Sequence, residues 1–247
     1  MTDLELTGRL LVASNATFVG RLGDREVVYK PVAGERPLWD FPDGTLAGRE
    51  IAAYLLSEAL GWNIAPRTWW GDGPHGPGML QEWCDVDPDR EAVTLVPAGT
   101  RTPGWLSVID GLDAEDRPVS LVHEDSVALR RMAVFDIVTN NADRKGGHVL
   151  AMPDGHCHGV DHGLTFHAEH KLRTVLWGWI DQPLADDELA GVQKARDALD
   201  GGLTHALEDL ITTAEIDALR RRCDRLLAHP VFPGPRGPMP AVPWPPF

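Results

Sequence analysis

The run Phe135-Asp136-Ile137-Val138-Thr139-Asn140-Asn141-Ala142-Asp143-Arg144-Lys145-Gly146-Gly147-His148, followed by Asp161-His162-Gly163, decides how the rest of the chain is read. Upstream of it, Ser126 to Thr139 is apolar at Val127, Leu129, Met132, Val134, Phe135, Ile137 and Val138. That pattern predicts a helix buried on most sides, with Asp125 as its N-cap. Downstream, His148 to Met152 and His156 to Val160 read as short strands, with Asp154-Gly155 as the turn between them. A buried helix thus delivers a polar loop, a hairpin reverses the chain, and the second strand ends on Asp-x-Gly. Asp161 returns to the neighbourhood of Asp143. Two carboxylates brought together in this way suit phosphoryl transfer, where one orients the nucleophile and the other holds a divalent metal on the phosphates. In an ordinary helix-loop-hairpin the same residues would only cap turns.

Working outward, the N-terminal part reads as three antiparallel strands: Arg9 to Ala13, Ala16 to Leu22 after a turn at Ser14-Asn15, and Glu26 to Lys30 after Gly23-Asp24. A loop rich in Gly, Pro and Asp leads to Leu46–Leu60, whose apolar residues recur at helical spacing and stop at Gly61. Another strand is expected over Gly78–Trp83, and Asp85-Val86-Asp87-Pro88 could join two lobes. Residues 89 to 120 show no clear period. Helices are expected at Asp186–Leu199 and Thr213–Leu227, and the proline-rich 229–247 should be extended.

On these residues the chain resembles kinases. Asn141-x-Asp143-x-x-x-x-His148 has the spacing of the catalytic loop of protein kinases, HipA-type kinases and phosphatidylinositol 3- and 4-kinase-like enzymes, in which Asn follows the Asp five residues later. Asp161-His162-Gly163 is similar to their metal-binding Asp-Phe-Gly. The resemblance is closest to actinobacterial proteins of unknown function with a phosphatidylinositol-kinase-like fold. It extends to Ser14-Asn15-Ala16-Thr17-Phe18, to Gly34 through Pro42 and to Asn140 through Leu150.

It implies Asp143 as catalytic, Lys145 at the transferred phosphate, Asp161 as principal metal ligand and His148 where the family has a metal-binding Asn. Imidazole in place of an amide oxygen would move the metal preference from magnesium toward manganese, or remove this position from the metal. Lys30 ends a β-branched strand like the lysine that kinases aim at the α- and β-phosphates. Glu50 is its expected ion-pair partner and Glu58 a competitor. Ser14-Asn15-Ala16 stands where kinases have a Gly-rich loop, and although it lacks the glycines its backbone N–H groups can still face phosphate. The hinge against adenine would be Gln81 to Cys84, with Glu82 and Trp83 at its centre and Leu80 lining the pocket. The implied cofactors are ATP and Mg2+ or Mn2+.

Composition sets limits. Of 247 residues, 37 are acidic and 23 basic, a formal charge of -14, which disfavours nucleic acid and anionic lipid as partners. The basic triplet Arg220-Arg221-Arg222 reads as a solvated helix face. Three widely spaced cysteines and a polar, acidic start point to the cytoplasm. No apolar run approaches the roughly 18 to 20 residues needed to span a bilayer. His148, His156, His158, His162, His167 and His170 crowd one region with Cys157, a rival zinc reading. On a strand, however, His156 and His158 would share a face opposite Cys157.

The expected fold is α+β, two-lobed and kinase-like, with a β-rich lobe over 1–85, a mainly helical catalytic lobe over 86–228 and a tail over 229–247. The expected function is ATP-dependent transfer to a protein hydroxyl or a small soluble molecule. The alternatives are a nucleotide-binding pseudokinase or regulatory module, and a metal-dependent phosphate-ester hydrolase. Lys171 and Arg173 could meet an anionic group, whereas Trp177 and Trp179 read as core.

Overall fold

The computed structural model describes residues 3–10, 15–36 and 38–247. The chain is α+β, with a β-rich N-terminal part and helices gathered toward the C-terminus. Strands β1 (Leu4–Arg9), β2 (Phe18–Leu22), β3 (Arg25–Pro31), β4 (Thr68–Gly73) and β5 (Gly76–Glu82) form an antiparallel sheet in the order β1-β2-β3-β5-β4. The first strand therefore lies earlier than the expected Arg9–Ala13. Leu4 and Leu6 supply an alternating inward face that joins Val27, Tyr29 and Leu80. Leu11 through Ser14 fall outside the described residues, and with them the Ser14 half of the expected turn.

The register of β3 on β5 sets Lys30 opposite Met79, on the face away from Val27 and Tyr29. Met79 belongs to the main core, packed with α1 (Leu46–Leu60). This alternation aims Lys30 at α1. Three caps fix that helix. Thr45 Oγ1 accepts from Gly48 N at 2.9 Å, Glu35 accepts from Leu46 N at 3.0 Å and Ala47 N at 2.8 Å, and Gly61 ends the helix at φ 75°.

The stretch without a clear period holds β6 (Val93–Pro97), β7 (Trp105–Leu112) and β8 (Pro118–Glu124), a sheet ordered β6-β8-β7. α2 (Val127–Thr139) follows and is buried from Met132 to its end. Its cap is Ser126, whose hydroxyl accepts from Leu129 N, not the expected Asp125. The Asp125 carboxylate instead accepts from Trp179 Nε1 at 2.8 Å, a partner distant in sequence. Hairpin strands β9 (Val149–Ala151) and β10 (Cys157–Gly159) turn at Gly155 with φ 87°. Helices α3 (Asp186–Leu199), α4 (Gly202–Leu207) and α5 (Thr213–Ala228) complete the order, and α4 had no sequence signal.

Beyond α5 the proline-rich segment is laid back over the body. Val231 bridges Pro183, Phe232 is buried, and Ala241 O accepts from Thr174 N at 3.1 Å and Trp177 Nε1 at 2.9 Å. No helix among the described residues is long and apolar enough to cross a membrane.

Candidate active site

The loop after α2 is built on a buried ion pair. Asp136 and Arg144 are both fully buried, with Arg144 Nε 3.1 Å from Asp136 Oδ1 and Oδ2 and Nη2 2.9 Å from Oδ1. Asn141 Nδ2 and Thr174 Oγ1 donate to the same carboxylate, each at 3.0 Å. Arg144 also donates to the carbonyls of His148 and Val160, and its Nη2 lies 2.7 Å from His162 Nε2. Asn140, in the left-handed conformation at φ 54°, ends α2 and turns the chain into the loop. Asn141 Oδ1 then accepts from Asp143 N at 3.0 Å. Asp136 and Arg144 went unassigned in the sequence. The available signal was an Asp inside an otherwise apolar helix.

At the surface of this scaffold three elements meet. Lys30 Nζ from β3 lies 2.6 Å from Glu50 Oε1 on α1 and 2.7 Å from Asp161 Oδ1 beyond β10. Glu58 is exposed and takes no part. The other oxygen of Glu50 accepts from His162 N at 2.8 Å, which locks the Asp161-His162-Gly163 turn to α1. Asp161 sits at φ 60°, in the left-handed region that is uncommon for residues other than glycine. Burial opposes the charge on Lys30, but Asp161 and Glu50 outweigh it and hold its pKa above the usual lysine value. Lys30 in turn holds Asp161 well below the carboxylate range, while burial raises Glu50.

Asp143 lies across from this cluster. Its pKa is pushed up to about 6, chiefly by burial and further by Asp161, against the lowering effect of Lys145. Lys145 Nζ is 4.0 Å from Asp143 Oδ2. His148 Nδ1 is 2.9 Å from the carbonyl of Asp143, and its Nε2 is 3.4 Å from Asp161 Oδ2. The structure thus gathers Lys30, Glu50, Asp143, Lys145, His148 and Asp161.

The geometry at His148 tests the fit of a divalent metal. A carbonyl only accepts, so Nδ1 carries the hydrogen. Burial brings the imidazole pKa down to about 4, so at neutral pH Nε2 bears a lone pair facing a carboxylate oxygen. Two electron-rich atoms turned toward one another are the donor pair that a cation would satisfy, with Nδ1–H held by a backbone oxygen as in metal-bound histidines. Among the described residues no group of three or more His, Cys, Asp or Glu side chains is arranged to hold a metal. One carboxylate and one imidazole fit a metal that takes its remaining ligands from phosphate and water.

The other expected residues lie around this cluster in varied roles. Asn15 Oδ1 accepts from Arg36 N at 3.0 Å, and Ala16 packs on Gly34, where an added Cβ would collide with it. The N–H groups of Glu82 and Trp83 are taken up by Arg67 O and Glu26 O, and the Glu82 carboxylate pairs with Arg25 at 3.1 Å. Neither of these two N–H groups is left to donate elsewhere. Lys171 pairs with Asp40 at 3.6 Å, and Trp177 and Trp179 are core residues. His156 and His158 stack edge to face while Cys157 is buried on the opposite side of the strand.

No family model matches the chain. Protein Rv2133c of Mycobacterium tuberculosis (strain ATCC 25618 / H37Rv) is 54% identical over 262 residues, spanning 100% of this chain and 94% of that one. Among solved structures, a Helicobacter pylori proinflammatory kinase, CtkA, covers 94% of this chain and 93% of its own at 11% identity, with a TM-score of 0.46. At that distance the likeness assigns no residue a role.

Proposed function

The chain belongs to the same family as Rv2133c, and we propose that it is an ATP-dependent phosphotransferase of the atypical, phosphatidylinositol-kinase-like type, acting on a protein hydroxyl or a small soluble molecule. The observation that carries this reading is the ion-paired triad of Lys30, Glu50 and Asp161, drawn from three separate elements. A lysine held by a helix carboxylate beside an Asp-x-Gly acid is the arrangement that grips nucleotide phosphates in kinases. A hydrolase built on the same acids has no use for Lys30, so the triad favours transfer.

In this reading Glu50 holds Lys30 in place for the α- and β-phosphates. Asp161 offers Oδ1 to Lys30, and its Oδ2 together with His148 Nε2 would hold a divalent metal. When bound, that metal would neutralise charge on the phosphoryl oxygens. Asp143, with a pKa of about 6, accepts the proton of the attacking hydroxyl near neutral pH. Lys145 lies beside Asp143, positioned to meet the transferred group. The Asp136–Arg144 pair keeps the loop that bears both residues rigid. An acceptor on an anionic membrane is disfavoured by the charge of -14.

The test is thermal unfolding and calorimetry with ATP, GTP and ADP, each with magnesium and with manganese, followed by incubation with labelled ATP. Metal-dependent stabilisation of about 2.7 kcal/mol at a hundredfold excess over Kd is expected, together with label on the chain itself or on a soluble acceptor. Binding without any transfer would favour the pseudokinase alternative. If millimolar nucleotide with manganese shifts nothing, the proposal fails.

A further inference from the structure

Residues 240–247 return to the loop that carries Asp143 and Lys145. Arg173 frames that loop on either side of Asp143, its N donating to Asn141 O at 2.8 Å and its O accepting from Arg144 N at 3.1 Å. The tail is bonded to both partners of this pairing. Arg173 Nε donates to Pro240 O at 3.1 Å and its Nη2 to Val242 O at 3.4 Å, Thr174 N and Trp177 Nε1 both donate to Ala241 O, and Gly146 N donates to Pro246 O at 2.7 Å. Gly146 stands directly after Lys145, and the Phe247 ring lies so close to it that an added Cβ would collide with the ring.

In all five of these bonds the tail accepts through a carbonyl. Proline has no N–H to give, and four of the eight residues are proline. The body supplies a matching row of donors, from Gly146 at one end and from Arg173 to Trp177 at the other. Such a row holds an extended peptide by its main chain, as in the recognition of proline-rich segments. The tail fills this groove without offering a group to phosphorylate, since residues 229–247 contain no Ser, Thr or Tyr. It is also held unevenly. Ala241 and Val242 pack on the core and Pro243 is buried, whereas Trp244 is 76% exposed and Phe247 46%. The outer end therefore rests on the Gly146 bond and the Phe247 ring contact, and a segment with so little burial opens locally without unfolding the rest.

We propose that the groove between the Asp143 loop and Arg173–Trp177 is the docking site for an extended protein acceptor, and that residues 240–247 occupy it as a strap which the acceptor must displace. This rests on the phosphotransferase reading given above, and within it selects a protein over a small molecule. A strap docked in most molecules weakens acceptor binding in proportion to the fraction that is open, and leaves nucleotide binding at the Lys30–Asp161 cluster unchanged.

The experiment compares the full chain, a chain lacking Pro245–Phe247 and the single change Phe247→Ala, all of which keep the buried anchors Phe232 and Pro243. The acceptors are dephosphorylated casein, an unstructured protein, and water, read as ATP hydrolysis with manganese. In both altered chains KM for casein should fall by about fivefold, as expected for loss of one backbone hydrogen bond and its neighbouring contact, with kcat unchanged. Hydrolysis to water, which needs no groove, should change by less than about twofold. A peptide of residues 240–247 should compete with casein on the shortened chain. Hydrogen exchange at the Gly146 amide should be slow in the full chain and about tenfold faster in the shortened one. An unchanged KM for casein, or a joint fall of turnover with casein and water that marks a purely structural tail, would overturn the strap and leave the phosphotransferase reading standing. Hydrolysis without transfer to casein by any chain would overturn the protein acceptor. Turnover by none of the chains would overturn the phosphotransferase reading and the acceptor groove with it, while fast exchange at Gly146 in the full chain would overturn the strap whatever the turnover.

Discussion

Replacing Asp136 by Asn removes the carboxylate bonded to the buried Arg144 while keeping nearly the same shape. Both side chains are fully buried, and five other groups are bonded to them: Asn141, Thr174, the His162 ring and the carbonyls of His148 and Val160. Breaking a buried pair by neutralising one partner costs about 3–5 kcal/mol, because the surviving charge has no compensation. That is a large fraction of a typical total of about 5–15 kcal/mol. With a urea slope of about 2.5 kcal/mol/M, the midpoint should fall by on the order of 1.5 M. The decisive assay is a double-mutant cycle with Arg144→Met, followed by urea unfolding. Each single change should be severe, and the double change should cost less than their sum by about 2 kcal/mol, since the second removes the orphaned charge. Additivity within about 0.5 kcal/mol would refute the reasoning, because it would mean that the two groups stabilise the loop independently.

Further expectations concern the proposed active-site cluster and its supports. Asp143→Asn should stabilise the chain above pH 6 by about 1 kcal/mol, after discounting for partial exposure, because a raised carboxyl pKa makes the folded state bind more protons than the unfolded between about pH 4 and 6. The gain should vanish below pH 4 in urea titrations; a loss of stability at pH 7.5 would refute the burial argument. In phosphotransfer assays of the unaltered chain, kcat/KM should fall as pH drops through about 6, as a general base with that pKa requires. His148→Asn should move metal preference toward magnesium, read by nucleotide calorimetry, and an unchanged preference would remove His148 from the metal. Glu35→Ala should cost about 1–2 kcal/mol, since its carboxylate caps two N–H groups at the start of α1.

What was legible in the sequence is what local physics fixes. α1 was readable because its apolar spacing and Gly61 state their own boundary. Asp143 and Asp161 were readable because a helix, a loop and a tight hairpin join them in one short stretch. β7 was not, since it is open on both faces and shows no period-two alternation. The Asp125 cap failed because a carboxylate can serve a distant indole as well as a nearby N–H, and only packing decides which. Arg222 and Arg144 were hidden for the same reason: a charged residue on a polar-looking stretch reads as solvated until the fold buries it.

The charges of the cluster argue for one order of events in its chemistry. Lys30 and Lys145 bring two positive charges to the open face, while Glu50, Asp143 and Asp161 bring three negative ones, and His148 is neutral at pH 7. A triphosphate approaching such a site within a chain of net charge -14 meets net repulsion. Asp161 Oδ2 and His148 Nε2 would hold a divalent cation that offsets this charge, and Lys30 could then exchange one carboxylate for phosphate while Glu50 still holds it. Because His162 N fastens Glu50 to the Asp161 turn, the exchange need not loosen α1 from that turn. Under the proposed function the site would be acidic enough to require the metal for nucleotide binding, and the Lys30–Asp161 ion pair would be the one that binding opens.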